Sequence, residues 1–273
     1  MHHESWWLKV KRAQKHMVDI RAEVRRYAER HPYKFVRIRE PDSQKSVKFR
    51  VHVTERPDPN ISMMFGDFVH NLRSAQDHII VACVPKKERT EATGFPIVYK
   101  DIFARDKDGE FVVKDAKARE NFERSIRGID PIARTLVILS QPYHIGDQVQ
   151  FWTLGIINRV DNADKHRALT EIGGGVARPI VHFPSGERME YTGFGRHDLV
   201  GEGAIIGWKI PDDGPPPSKV DVQFSGTATV YLKVTGVRGG KEKPFVMSLE
   251  MTMLSALEAV RRTLRFLERF VIR

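Results

Sequence analysis

The sequence predicts an α+β protein: a helical bundle with a β-hairpin near its N-terminus and a β-rich insert before its C-terminal helix. Three observations carry that prediction. Both ends of the chain hold long runs with apolar residues at alternating steps of four and three, the spacing of a helical seam. Residues 60–84 keep helical spacing and add a continuous polar stripe opposite the apolar arc. Residues 176–236 instead carry frequent Gly and Pro and runs that alternate every second residue, the period of a strand. The predicted layout is a bundle over 1–170 with the hairpin at 33–53, a β-rich insert over 171–243, and a closing helix over 244–273.

The first predicted helix covers 4–30. Trp6, Val10, Ala13, Met17, Ile20, Val24 and Tyr27 make its seam, and His31-Pro32 stops it. Its other faces are basic, with Lys9, Arg12, Arg25 and Arg26 among the cations. Residues 33–39 and 47–53 read as the hairpin: Val47, Phe49, Val51 and Val53 alternate with Lys48, Arg50 and His52, and Asp42-Ser43 supplies the turn. RPDPN breaks the chain before the striped helix, offering Asp58 or Asn60 as its N-cap, and Pro85 ends that helix.

Residues 86–114 are polar and irregular, with FPIVY (95–99) and EFVV (110–113) as short strands. Two short helices follow over 115–129 and 131–139, separated at Gly128. A further helix covers 147–167, with Val149, Trp152, Ile156, Ile157 and Val160 facing in. Gly173 to Gly175 reads as a flexible break, a hinge rather than a phosphate cradle. Val220, Val222 and Phe224, then Ala228, Val230, Leu232 and Val234, mark strands of a small antiparallel sheet, about four or five in all. After Pro244 the chain returns to helix, with Met253, Leu257, Val260, Leu264, Leu267 and Val271 as the second seam. Two long terminal helices and two central ones make a four-helix bundle.

Lys+Arg 45 against Asp+Glu 35 gives a net charge of +10, which favours a polyanionic partner such as RNA, DNA or an acidic surface. The single cysteine, Cys83, excludes an intramolecular disulfide framework and a Cys-rich zinc site. On the apolar arc it reads as a small buried hydrophobe, and the chain suits a reducing cytoplasm. The N-terminus lacks the apolar run of a signal peptide, and no stretch approaches a membrane span. No P-loop, G-x-G-x-x-G after a strand, or G-x-S-x-G is present.

The striped helix carries the chemistry. Phe65, Phe68, Val69, Leu72, Ala75, Gln76, Ile79, Ile80 and Cys83 form one arc, polar only at Gln76. Asp67, His70, Asn71, Ser74, Asp77 and His78 form the other, and Arg73 stands at the border. These short side chains ionise, donate and accept, where a solvated face carries Lys, Glu and Gln. The bland reading has them satisfy one another, with Arg73 paired to Asp77 at i,i+4. The functional reading starts from RNA, which carries its own nucleophile in the 2′-hydroxyl. Its cleavage needs a proton carrier near neutral pH and a cation for the extra charge on phosphorus. His78 and Arg73 are those two groups, and Asn71 and Ser74 can orient phosphate or imidazole; no metal or cofactor is expected.

A second constellation, Asn158, Asp161, Asn162, Lys165 and His166, lies at the end of the 147–167 helix. Asp161 can orient His78 or His70 if the two helices pack together, and His166 can be a second acid or base; a purely structural network is the plain alternative. A metal-dependent bundle enzyme would draw on His70, Asp77 and His78 with Asp161 or His166. His70 and His78 are two turns apart, about 12 Å along the axis, too far to share one ion easily.

The R-x-x-x-x-H spacing within HNLRSAQDH, and N-x-D-K-H-R later in the chain, resemble the HEPN superfamily over residues 57–84 and 147–168. The resemblance implies a HEPN-like helical bundle, a metal-independent endoribonuclease acting as a toxin or antiviral defence effector, and a homodimer with a composite site. It makes RNA the substrate and admits an antitoxin or regulatory partner. On that reading Arg73 and His78 are catalytic with Asn71 and Asp77, His70, Ser74, Asn158, Asp161 and His166 support them, and Lys9, Arg12, Arg25 and Arg26 hold the RNA backbone. The chain departs from the pattern at Ser74, where an Asn, Asp or His usually follows the arginine. The spacing of five also turns Arg73 and His78 about 140° apart on one helix, so Arg73 either reaches round or meets the other subunit's histidine. The alternative within the same resemblance is a non-catalytic module that binds nucleic acid, nucleotide or a protein partner.

Overall fold

The computed structural model describes residues 4–39, 46–112, 115–144, 153–165, 171–183, 188–190, 199–201, 203–209, 223–238 and 241–272. Both apolar seams are helices. Helix α1 spans Ser5–Glu29 and buries Trp6, Val10, Ala13, Met17, Ile20 and Tyr27. It ends where His31 takes a positive φ of 50° before Pro32, a left-handed exit that a helix C-terminus commonly needs. Strands β1 (Tyr33–Ile38) and β2 (Ser46–Val53) pair antiparallel with Tyr33 opposite Val53. Val47, Phe49 and Val51 point inward, as their alternation requires.

Helix α2 spans Asn60–Cys83 and is the hub of the molecule. Its N-cap is Pro59, without a side-chain cap, so neither Asp58 nor Asn60 takes that position; Asp58 accepts the Asn60 N–H at 2.8 Å, and the last residue of the helix lies two before Pro85. It packs on α1, on α5 (Thr153–Lys165) and on α6 (Leu249–Leu267), so four helices surround one continuous core. Helices α3 (Ala116–Ser125) and α4 (Pro131–Leu139) begin with Asp115 and Asp130, whose carboxylates accept the backbone N–H groups of Ala118 and of Ile132 and Ala133.

The segment 95–99 and the described residues 110–112 form no strand; Phe111 makes an isolated bridge to Arg105, and Val113 lies outside the described residues. The reason lies in side chains that take the place of a neighbouring strand. The Phe95 N–H donates to Asp77 Oδ1 at 2.9 Å and the Val98 N–H to Gln141 Oε1 at 2.9 Å, while Gln141 Nε2 donates to the Pro96 carbonyl. Gln141 is fully buried by this role.

Strands β3 (Ile172–His182), β4 (Arg188–Glu190), β5 (Leu199–Gly201), β7 (Gln223–Arg238) and β8 (Lys241–Ser248) form a second sheet in the order β4-β3-β7-β8, with β5 also on β3. The remaining strand of the β-rich region, β6 (Ile205–Lys209), instead joins β2 on the side away from β1. The hairpin and the later strands therefore share a sheet. Register shifts between Ala177 and Ile180, across Pro179, which has no N–H to give the ladder. Pro244 lies inside β8, opposite Thr235, where an outer strand tolerates proline; α6 starts at Leu249, capped by the Ser248 hydroxyl. No helix among the described residues is long and apolar enough to cross a membrane.

The run Gly173–Gly175 is neither hinge nor break. It lies within β3, paired to β7 from Tyr231 to Thr229. A Cβ at Gly173 would strike the Tyr231 ring, and one at Gly174 would strike the Tyr27 hydroxyl. That hydroxyl is committed, donating to the Glu55 carbonyl at 2.9 Å, and burial pushes its pKa up to about 12. Asp42-Ser43, Val149, Trp152, His166, 214–217, Val220 and Val222 lie outside the described residues.

Gly174→Ala is expected to lower stability by about 1–3 kcal/mol, the usual penalty of overpacking, measured as a reduced urea midpoint at constant m. Tyr27→Phe in that background removes the obstructing oxygen and should return part of the loss. Equal effects in the single and double variants would show that the hydroxyl is not the obstacle.

Candidate functional site

Helix α2 buries its apolar arc, including Gln76, whose two amide atoms have no hydrogen-bond partner among the described residues. The stripe is then confined to the two flanks of the helix, and each flank meets a different neighbour.

On one flank His70 Nδ1 lies 3.0 Å from Asp161 Oδ1 of α5. Asp161 is buried, with 2% of its side chain exposed, while His70 is 53% exposed. The structure therefore brings Asp161 to His70 and not to His78. Asn158, one turn earlier on α5, donates to the Tyr99 hydroxyl at 3.1 Å, and that hydroxyl donates to the Gly155 carbonyl.

Arg73 and Asp77 lie toward the 89–99 segment. Arg73 Nη2 is 3.3 Å from Asp77 Oδ1, and the guanidinium side chain is only 17% exposed. Its Nη1 is buried without a hydrogen-bond partner among the described residues. The same Asp77 oxygen accepts the Phe95 N–H, and a Cβ on Gly94 would approach it to 2.9 Å. Asp77 thus clamps a loop to α2 as well as neutralising Arg73.

The opposite flank holds His78. Its Nδ1 shares a 3.0 Å hydrogen bond with Ser5 Oγ on α1, and its Nε2 lies 3.5 Å from Ser74 Oγ. Burial first, and then the positive charge of Lys9, lowers its pKa below the usual histidine value; Asp77 opposes them. The imidazole is only partly buried, so solvent still reaches it. Asn71 spends its amide on the Asp67 carbonyl of its own helix, at 2.7 Å.

Within one chain, then, Arg73 pairs with Asp77 while His78 bonds to Ser5 of α1. No hydrogen bond or ion pair joins them among the described residues. His166 lies outside the described residues. The four predicted RNA-backbone cations also separate. Lys9 and Arg12 lie on the α1 edge toward α2, Arg26 is paired with Glu23, and Arg25 points about 160° round the helix from Lys9. Among the described residues no three His, Cys, Asp or Glu side chains gather as a metal donor set. Cys83 is buried at the Leu267 carbonyl, and its pKa is pushed up to about 12, which suits packing and not nucleophilic attack.

Sequence reading missed Ser5. A signal was present: Ser5, Lys9, Arg12 and His16 are spaced four, three and four apart, the same spacing as Asp67, Asn71, Ser74 and His78. Two such edges on neighbouring helices can face each other along one seam. A separate groove of about 810 Å³ lies between α4, α5 and α6, walled by Leu136, Leu154, Leu254 and Phe266 with Arg262 and His144 at its rim. None of the stripe residues lines it.

Titration of His78 by NMR should report these neighbours. Lys9→Gln is expected to raise its pKa and Asp77→Asn to lower it further; no response to Lys9→Gln would remove Lys9 from the site. Because the folded pKa is depressed, the folded state resists protonation. Full stability is therefore present above the unfolded value of about 6.5 and is lost as pH falls through the lower folded value. His78→Gln should flatten that part of the pH–stability curve.

Comparison with protein-family models, with curated proteins and with solved structures returned no match, so the functional argument stands on the residues themselves.

Proposed function

We propose that the protein is a metal-independent endoribonuclease of HEPN type, a toxin or defence effector that acts on RNA. The observation that carries this reading is the half-exposed imidazole of His78, held neutral by burial beside the basic edge of α1. A neutral, partly exposed imidazole can take a proton near pH 7. In this reaction His78 takes the proton of the RNA 2′-hydroxyl as that oxygen attacks phosphorus. The bond from phosphorus to the 5′-oxygen breaks, and the same proton passes to the leaving oxygen. The products are a 2′,3′-cyclic phosphate and a 5′-hydroxyl, with no oxidant, reductant or metal consumed. The excess charge of +10 serves backbone binding. A homodimer would be needed to bring a second guanidinium to His78, because Arg73 of the same chain is engaged by Asp77.

One observation favours a second reading, a non-catalytic RNA-binding module of HEPN type. Arg73 is neutralised and mostly buried, and Asp77 is committed to the Phe95 N–H. Both groups then serve the fold.

Cleavage of single-stranded RNA in EDTA separates the two. The nuclease reading expects cyclic-phosphate products that fall by about 10²–10⁴-fold in a folded His78→Ala protein. Wild-type cleavage by that variant would clear the imidazole of a catalytic role. RNA binding without cleavage supports the module, and each backbone cation removed from it should reduce the salt slope by about 1. Absence of both binding and cleavage ends both readings.

A further inference from the structure

We propose that the seam between α1 and α2 is a phosphate site, in which the Lys9 ammonium and the Ser5 and Ser74 hydroxyls hold one phosphate group against the His78 imidazole. This deepens the RNA reading by naming the phosphodiester contact, and it supplies the cation for His78 from its own chain.

The argument starts from helix direction. Ser5, at the start of α1, bonds to His78, near the end of α2, so the two helices run antiparallel. Both rise about 1.5 Å per residue, so four residues forward on α1 and four back on α2 cover the same distance, about 6 Å. Lys9 then lies level with Ser74, and Arg12 with Asn71. The positive charge of Lys9 also lowers the His78 pKa, in keeping with that placement. Among the described residues Lys9 has no ion pair, and neither has Arg12. Ser5, Lys9, Ser74 and His78 are all partly exposed, so the group remains open to solvent.

Its chemistry suits a phosphate and little else. An ammonium, two hydroxyls and an imidazole offer several donors to the oxygens of one tetrahedral anion. The charged groups facing His78 are Lys9 from α1 and Asp77 from its own helix, and Asp77 is turned to Arg73. The seam therefore keeps an unspent positive charge. A bound phosphate would offset Lys9 at the imidazole and ease its protonation, so phosphate binding and proton uptake support each other. The guanidinium at 73 has the opposite character: its own carboxylate has claimed it, and it is mostly enclosed.

The test uses the full chain, NMR of the His78 ring, and two probes: inorganic phosphate and a 2′-O-methyl oligonucleotide that cannot be cleaved. Both should give a saturable shift at His78, and phosphate should raise its pKa. Lys9→Gln should weaken phosphate binding about tenfold or more and abolish the pKa rise, Lys9→Arg should retain both, and Lys117→Gln on exposed α3 controls for loss of a distant charge. No saturable shift, a response unchanged in Lys9→Gln, or one lost equally in Lys117→Gln would overturn the proposal. So would a response that survives Lys9→Gln and disappears in Arg73→Gln. A phosphate response without RNA cleavage leaves the seam standing and ends the nuclease reading. His78-dependent cleavage with no role for Lys9 does the reverse.

Discussion

Burial of α2 on three sides constrains every polar group that the helix carries. Its apolar arc meets α1, α5 and α6, and the residues from Ile61 to Cys83 on that arc are almost wholly excluded from water. An ionisable side chain on such a helix has two outlets, a partner on a neighbouring element or the narrow flank where solvent remains. The observed contacts follow. Asp161 comes from α5 to His70, Ser5 from α1 to His78, and the Phe95 N–H to Asp77. Each contact ties a different element to the same helix, so the polar stripe also fixes how the bundle is assembled.

That division decides the chemistry. A spacing of five sends Arg73 and His78 to different neighbours, and those neighbours differ in charge. Arg73 meets a carboxylate that holds it and cancels it. His78 meets the hydroxyls of Ser5 and Ser74, and burial first, then the positive charge of Lys9, depress its pKa. An arginine buried with its acid stabilises a fold because separating them would strand a charge. A neutral, accessible histidine beside a lysine is suited to receiving an anion. The two members of the R-x-x-x-x-H spacing thus have different neighbours within one chain.

The β-rich residues belong to the same construction. β7 contributes Val230 and Leu232 to the helical core, and β6 extends the N-terminal hairpin into a three-stranded sheet. Gly173 and Gly174 are needed because two tyrosine rings approach β3 more closely than any side chain would permit. Tyr27 therefore joins three parts of the chain: the end of α1, the β2–α2 connection through Glu55, and β3.

The sequence by itself determined the α+β class, both helical seams, the bounds of α2, the hairpin with its inward Val47, Phe49 and Val51, and the burial of Cys83. Each rests on local information: period, proline, capping residue. It also identified the stripe and the i,i+4 pairing of Arg73 with Asp77, since both residues lie on one helix. Contacts between elements were decided only by the tertiary structure. FPIVY had strand composition, but Asp77 and Gln141, near in space and distant in sequence, took its backbone groups. The three glycines had the composition of a hinge, but Tyr27 and Tyr231 made them a site of close approach. Pro244 marked a boundary by propensity, but the free side of β8 accommodated it. The partner of His78 depended on which helix lay beside α2 and in which direction it ran, and no period within a single helix records either.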